Sequence, residues 1–305
     1  MKKHAALLLT IAALLSSLLT LAQEGSFDWS KAVELHPGIR HAQMTMESPR
    51  LMQINVARID LDTPGLRFRA TGRDADWGKP MPDFPELNIQ TKRQRTRDFI
   101  RQARKPVADG GFGLNMVFAV NANPWSPWQK PFTHQYAGKQ GLVISEGELV
   151  AEANGRPSFI VRQDGSVDMS TTNAETDLSG IVTAVSGFFF VLQDGKVIQG
   201  GQGLAPRIGY GLSADKRTLL MVIIDGRQPE YSLGATTGEV GEWLLHLGAQ
   251  IGINMDGGGS TTIAVWKPAG ADGEEEAVVQ LNRHQNGGER NVGCNLGIYY
   301  LPTAP

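Results

Sequence analysis

Residues Leu219 to Thr262 read LLMVIIDGRQPEYSLGATTGEVGEWLLHLGAQIGINMDGGGSTT. The opening run is apolar and β-branched, which predicts a buried strand ending at Asp225-Gly226-Arg227. A polar loop follows. Thr236 to Leu247 then reads as a helix: Thr236-Thr237-Gly238-Glu239 has the form of a capping box, and Trp243, Leu244 and Leu247 supply a core face. A second strand, IGIN, ends at Asn254-Met255-Asp256 and breaks into Gly257-Gly258-Gly259-Ser260-Thr261-Thr262. A strand-helix-strand crossover of this length usually makes parallel neighbours in one sheet. Asp225 and Asp256 would then share one edge, the carboxyl end where ligands gather.

Three successive glycines do not belong inside a strand, where each costs roughly 0.5–1 kcal/mol relative to alanine. Gly257, Gly258 and Gly259 are expected as a loop whose N–H groups approach an anion or a sugar, with Ser260 and Thr261 as further donors. A bulge or tight turn is the plainer alternative. Glu239 is open to two roles, helix cap and active-site acid. The start of its helix would aim positive partial charge at the two aspartates. Arg207, Arg227 and Arg290 each adjoin a proline or glycine turn. A guanidinium so placed can fork onto phosphate, or make an ordinary surface ion pair. Asn121 and Asn123 end an apolar strand and can bind sugar hydroxyls or cap a turn. The histidines are scattered without metal-ligand spacing, and no G-x-S-x-G elbow is present.

Outward from this core the chain alternates short strands with glycine turns. MQINVARIDL (52–61) and LRFRATG (66–72) flank Asp62-Thr63-Pro64-Gly65; strand pairs at 141–152, 157–169, 184–199 and 207–227 turn at glycine, Asp-Gly or Ser213 to Lys216. Residues 24–50 read as an irregular lead-in and 73–90 as a loop. Thr91 is expected to cap a basic helix to Arg104, with a solvated face or a surface for an anionic polymer. The expected class is α+β: a β-rich mixed-sheet body with a few helices, one strand-helix-strand unit carrying the site. The division is 1–22 as signal peptide, 23–110 as strands, loop and basic helix packed on the main domain, and 111–305 as the catalytic domain.

The N-terminus, MKKHAALLLTIAALLSSLLTLAQEGS, has two lysines, an apolar run and a small-residue exit, the pattern of a secretory signal peptide. Its cleavage implies a periplasmic or secreted protein, without a membrane span in the mature chain. The 305 residues carry 29 Lys+Arg against 31 Asp+Glu, which argues against a nucleic-acid partner bound through a broad basic surface. Cys294 stands alone, excluding an intrachain disulfide and a cysteine-rich zinc site.

The segments FAVNANPW (118–125), GLVISEGELV (141–150), APRIGYG (205–211), IIDGRQPEYSLGATTGEVGEWLLHLGA (223–249), INMDGGGSTT (253–262) and GERNVGCNLGIY (288–299) resemble, in this order, the phosphodiester glycosidase family. Asn121-Ala122-Asn123-Pro124-Trp125 departs from the family's more glycine- and phenylalanine-rich turn. The resemblance implies a glycosidase that cleaves N-acetylglucosamine-1-phosphodiesters or related material, and the two-lysine signal sequence makes the expected protein an exported bacterial one acting on envelope or exopolysaccharide substrates. It makes Asp256 the first choice for the working carboxylate, with Asp225 and Glu239 in reserve. Arg207, Arg227, Arg290 and the amides of Gly257, Gly258 and Gly259 become the phosphate candidates. Asn121, Ser232, Asn254, Ser260 and Thr261 become candidates for sugar contacts or their support.

Three other readings stay open. Asp225, Asp256 and Glu239 could hold a divalent cation in a phosphodiesterase that cuts the P–O bond. The same surface could bind an anionic polysaccharide without turning it over. NMDGGGST also looks like one actin-type phosphate loop.

Overall fold

The computed structural model describes residues 27–198, 200–270, 274–285 and 287–302; the expected signal peptide lies outside them. The run LLMVII is apolar at every position because both its faces are covered. Its strand, Thr218–Ile224, sits inside an eight-stranded sheet. The order across that sheet is Val33–His36, Ile39–Met46, Met52–Asp60, Thr218–Ile224, Arg207–Leu212, Ile251–Asn254, Phe189–Gln193 and Lys196–Val197. Leu219, Met221 and Ile223 enter the main core, and Leu220, Val222 and Ile224 pack on the opposite face.

Two five-stranded sheets close the main core. One contains Glu148–Ala151, Val143–Ser145, Ile181–Ser186, Arg156–Arg162 and Val167–Thr172; the other contains Ala277–Gln280, Ile263–Lys267, Asn115–Asn121, Asn295–Tyr300 and Leu66–Ala70. Helices α1 (Thr96–Arg104) and α2 (Thr237–Leu247) cover outer faces. Val240, Trp243, Leu244 and Leu247 of α2 are buried on the eight-stranded sheet, each contributing roughly 1.5–3 kcal/mol. The approach is close: a Cβ on Gly209 would lie 2.4 Å from the Val240 side chain. The body is β-rich α+β, as the residue pattern implied.

Three local expectations need correction. Thr218–Ile224 and Ile251–Asn254 are not neighbours: Arg207–Leu212 lies between them and is antiparallel to both. They still run the same way and end on one edge, since Arg207 pairs with Ile224 and Gly209 with Asn254. The lead-in expected to be irregular over 24–50 is largely ordered in its described part, because Val33–His36 and Ile39–Met46 form a hairpin that pairs onward with Met52–Asp60. Thr91 caps no helix. It lies in the short strand Thr91–Lys92, its hydroxyl donating to Gly293 O at 2.8 Å, and α1 starts later, behind Arg95.

Helix α1 is also less solvated than its charge suggested. Thr96, Phe99, Ile100 and Ala103 form one buried stripe against the sheet. The residues before 111 supply strands to three of the sheets: Met52–Asp60 pairs with Thr218–Ile224, Leu66–Ala70 with Asn295–Tyr300, and Thr91–Lys92 with Tyr136–Lys139. Among the described residues no helix is long and apolar enough to cross a membrane.

Candidate active site

The shared strand edge gathers Asp225, Asp256 and the glycine loop. The loop is fixed from below. Asn121 donates from Nδ2 to Asp256 O at 2.6 Å and accepts at Oδ1 from Thr262 N at 2.9 Å. Asp256 N donates to Ala122 O at 3.1 Å. Both ends of the Asn121 amide are therefore spent on backbone. Within the loop, Gly258 N donates to Pro206 O, Ser260 N to Gly257 O and Thr261 N to Gly258 O. Gly258–Ser260 forms a 3-10 turn, so the expected cradle of amides narrows to those of Gly257 and Gly259.

Asp256 is 6% exposed, and burial pushes its carboxyl up to about 7. Ser260, Arg290 and Trp125 oppose that shift without cancelling it. Among the described residues its Oδ2 makes no hydrogen bond of normal geometry. The same holds for Ser260 Oγ, Thr261 Oγ1, Asn254 Oδ1, Trp125 Nε1 and Arg290 Nη1, all of them buried, although Ser260 and Trp125 lie near enough to favour the Asp256 charge. Buried polar atoms are almost always paired, and an unpaired one costs about 1–3 kcal/mol. A group of them on one loop and its neighbours can receive a polar ligand.

The three glycines each meet a different arginine. A Cβ on Gly257 would lie 3.7 Å from Arg207 Cα, one on Gly258 3.3 Å from Arg227 Nη1, and one on Gly259 2.3 Å from Arg290 Nη2. Gly258 also has a φ of 63°, which disfavours other residues. The arginines differ in freedom. Arg207 is committed, donating to Ala235 O at 3.1 Å and Gly203 O at 2.7 Å. Among the described residues the Arg227 guanidinium reaches only Gln285 Oε1, at 3.4 Å. Burial lowers the Arg290 pKa, Asp256 raises it, and Arg227 lowers it again.

Arg290 is held by the basic helix region. Arg97 Nε donates to the buried Glu289 carboxylate at 2.6 Å. Arg93 donates to Asn291 O at 2.9 Å, and Gln94 and Val292 exchange backbone hydrogen bonds. The residues on both sides of Arg290 are thus pinned. This is where much of the positive charge before and within α1 goes.

The other expected residues serve as framework. Asp225 accepts from Asn282 Nδ2 at 3.0 Å and from Arg283 N at 2.9 Å. Burial still raises its pKa. The same Asn282 amide donates to Thr261 O at 3.0 Å, so Asp225 is tied to the glycine loop. Ser232 Oγ donates to Asp225 O at 2.5 Å and accepts from Gln53 N at 3.0 Å. Glu239 completes the capping box on Thr236 and pairs with Arg50. Thr237 at the α2 start is covered by Gly201 O, so that terminus is not presented to a ligand as expected. Asn123 donates weakly to the carbonyls of 140–142 and accepts from Ser186 N at 2.9 Å.

Some neighbours had escaped attention. Trp125, Trp128 and Phe132 form an aromatic cluster with centroid separations of 4.8–5.7 Å. The Arg290 guanidinium carbon lies 5.2 Å from the Trp128 ring and 4.8 Å from the Phe132 ring. The signal was present in WSPWQKPF, where aromatics alternate with prolines next to the strand end. His284 bonds Thr262 Oγ1 at 3.1 Å beneath the loop. Among the described residues no group of three or more His, Cys, Asp and Glu could hold a metal ion. The carboxylates considered for a cation do not fit one: Glu239 is bound to its cap and Arg50, and both Asp225 oxygens are engaged.

Antiparallel sheets with an acid at a strand edge, a glycine loop and facing arginines define a class suited to an anionic, oxygen-rich ligand. The phosphodiester glycosidase family model matches residues 115–299, and the chain belongs to that family. A search among curated proteins gave no significant match. The fold resembles the catalytic domain of zebrafish N-acetylglucosamine-1-phosphodiester alpha-N-acetylglucosaminidase, auto-inhibited by its pro-peptide, at 16% identity and TM-score 0.58, covering 89% of this chain and 87% of that one. It also resembles a hypothetical protein from Synechocystis (13% identity, TM-score 0.57, covering 89% of this chain and 64% of that one). A protein from Burkholderia pseudomallei described as exported matches at 14% identity and TM-score 0.53, over 81% of this chain and 74% of that one.

Proposed function

We propose that the protein is an exported glycosidase that hydrolyses sugar-1-phosphodiesters, with Asp256 as its working carboxylate. The observation that carries this reading is the group of buried, unpartnered polar atoms around Asp256 in a chain of this family. Water attacks the anomeric carbon, the sugar C1–O bond breaks, and its electron pair leaves with a phosphomonoester. Asp256 takes the proton from the attacking water. A phosphomonoester leaves far more readily than an alcohol, so little help from a general acid is needed. Its charge is met by Arg290, Arg227 and the free loop amides. A carboxyl near 7 is ionised in part at neutral pH and basic enough to accept that proton.

Asn254, Ser260 and Thr261 serve the sugar hydroxyls. Asp225, Asn121 and Ser232 hold the loop, Arg207 holds the carbonyls of Gly203 and Ala235, and Glu239 caps α2. The signal-like N-terminus and the exported Burkholderia neighbour support a periplasmic or secreted location and an envelope or exopolysaccharide substrate.

The test is hydrolysis of N-acetylglucosamine-1-phospho-methylmannoside in ¹⁸O water, with and without chelator. The expected result is ¹⁸O in the free sugar, with the rate unchanged by chelator. Label in the phosphate, with activity lost to chelator, would establish P–O cleavage instead.

A further inference from the structure

We propose that the cleft at Arg227 and Arg290 holds a phosphomonoester more tightly than a phosphodiester, so that the enzyme retains its own product and keeps turning over only where a phosphomonoester-consuming reaction, a phosphatase or a phosphotransferase, removes it. This rests on the roles just given to Asp256 and the two arginines. Positive charge is in surplus here at close range. A Cβ on Gly258 would lie 3.3 Å from Arg227 Nη1, and one on the next residue, Gly259, 2.3 Å from Arg290 Nη2. Successive α-carbons are about 3.8 Å apart, so both guanidinium groups border one peptide step of the loop. Neither pairs with a carboxylate among the described residues; the nearby acids are taken elsewhere, Glu289 by Arg97 and Glu239 by Arg50. The Arg227 guanidinium meets only the neutral Gln285 amide, and the buried Arg290 Nη1 makes no hydrogen bond. Next to the Arg290 segment, buried Arg93 spends its donors on carbonyls: Phe132 O at 3.0 Å, His134 O at 2.6 Å and Asn291 O at 2.9 Å. That third cation has no counter-ion either.

The backbone under Arg227 is held in place. Its φ of 57° is left-handed, a conformation uncommon for a residue with a side chain. Gly226 before it packs so closely that a Cβ would lie 2.6 Å from Pro206 N, and Arg227 N donates to Leu233 O at 3.2 Å. The reaction moves charge toward these groups. The diester carries one negative charge. When the C1–O bond breaks, its electron pair stays on the phosphate oxygen, the water oxygen bonds to C1, and Asp256 takes the water's proton. The phosphate then carries close to two negative charges, its second pKa being about 6, while Asp256 has lost its own. Two guanidinium groups without counter-ions therefore match the product better than the substrate. The complementarity that favours bond breaking also slows release.

The test is calorimetry on the wild-type protein at about pH 7.5, where methyl phosphate is close to a dianion and dimethyl phosphate a monoanion. Methyl phosphate is expected to bind at least about tenfold tighter, and Arg227→Gln and Arg290→Gln each to bring that ratio below about threefold. A wild-type ratio within about twofold, or a ratio unchanged in both variants, would overturn the preference. Kinetics on N-acetylglucosamine-1-phospho-methylmannoside read its consequence. Methyl mannoside 6-phosphate is expected to inhibit competitively with a Ki below KM, and added alkaline phosphatase to straighten a curved progress trace. A Ki above KM overturns product retention. The two levels separate: if the diester is not hydrolysed the glycosidase reading fails, and the preference for the monoester then stands or falls on the calorimetry alone.

Discussion

Asp225 and Asp256 are the same residue type on the same edge of one sheet, both buried, and each follows the end of a strand. Their oxygens have opposite surroundings. Asp225 accepts from Asn282 and from Arg283 N, whereas Asp256 keeps one oxygen with no partner, beside unpartnered hydroxyls and a guanidinium. The satisfied carboxylate braces the loop. The unsatisfied one is stored at a cost and is suited to chemistry. The difference is set by what covers each acid: residues 282–283 return onto Asp225 from far along the chain, while Asp256 is followed by three glycines that carry no side chains.

The sharpest way to break this contrast is to neutralise each acid. Asp256→Asn is expected to lower kcat on a sugar-1-phosphodiester by about a thousandfold or more with the fold intact by circular dichroism. Asp225→Asn should lower it only about tenfold and cost about 1–3 kcal/mol in urea unfolding. The reverse ranking would exchange their roles.

Next in size is the contact of Gly259 with Arg290. A Cβ there would fall 2.3 Å from Nη2, so Gly259→Ala must displace the guanidinium. KM is expected to rise about 10- to 100-fold with a smaller change in kcat. Arg97→Ala, which removes the side-chain half of the Glu289 tether and leaves the backbone N–H bond to Glu289, should raise KM a few-fold in the same direction.

The stored cost of Asp256 is also measurable. Its folded pKa, about 7, lies above the ordinary 3.8, so the folded state holds this proton more tightly than the unfolded chain does. The associated stability is complete below about pH 4 and is lost as pH rises toward 7. Asp256→Asn removes that loss. Its Tm should exceed that of the wild type by an amount that grows from pH 4 to 7 and then levels, corresponding to about 4 kcal/mol. A pH-independent difference would mean that the carboxyl is not held neutral by burial. The smallest effect belongs to Glu239. Glu239→Ala should cost about 1 kcal/mol of stability from the lost cap, with kcat within about twofold of wild type.

Much of this was legible in sequence because it is local. The capping box at Thr236, the turn at Asp194-Gly195 and the glycine run after Asp256 each declare themselves within a few residues. What was hidden depended on long-range closure. Nothing near Asp225 announces that Asn282 and Arg283 return to fill its oxygens. Nothing near Glu239 announces Arg50. The basic run before and within α1 read as a solvated face, because its partner Glu289 and the Arg290 loop it holds arrive about 190 positions later. Trp128 and Phe132 were visible as letters, but their relation to Arg290 needed the strand pairing of Asn115–Asn121 with Asn295–Tyr300.

The pH dependence of kcat/KM for wild type and Asp256→Asn on one sugar-1-phosphodiester tests the central assignment most directly. The wild type should rise through an acid-side limb near pH 7, and the variant should fall about a thousandfold and lose that limb. A variant that keeps the limb and most of the rate would contradict the assignment of the chemistry to Asp256.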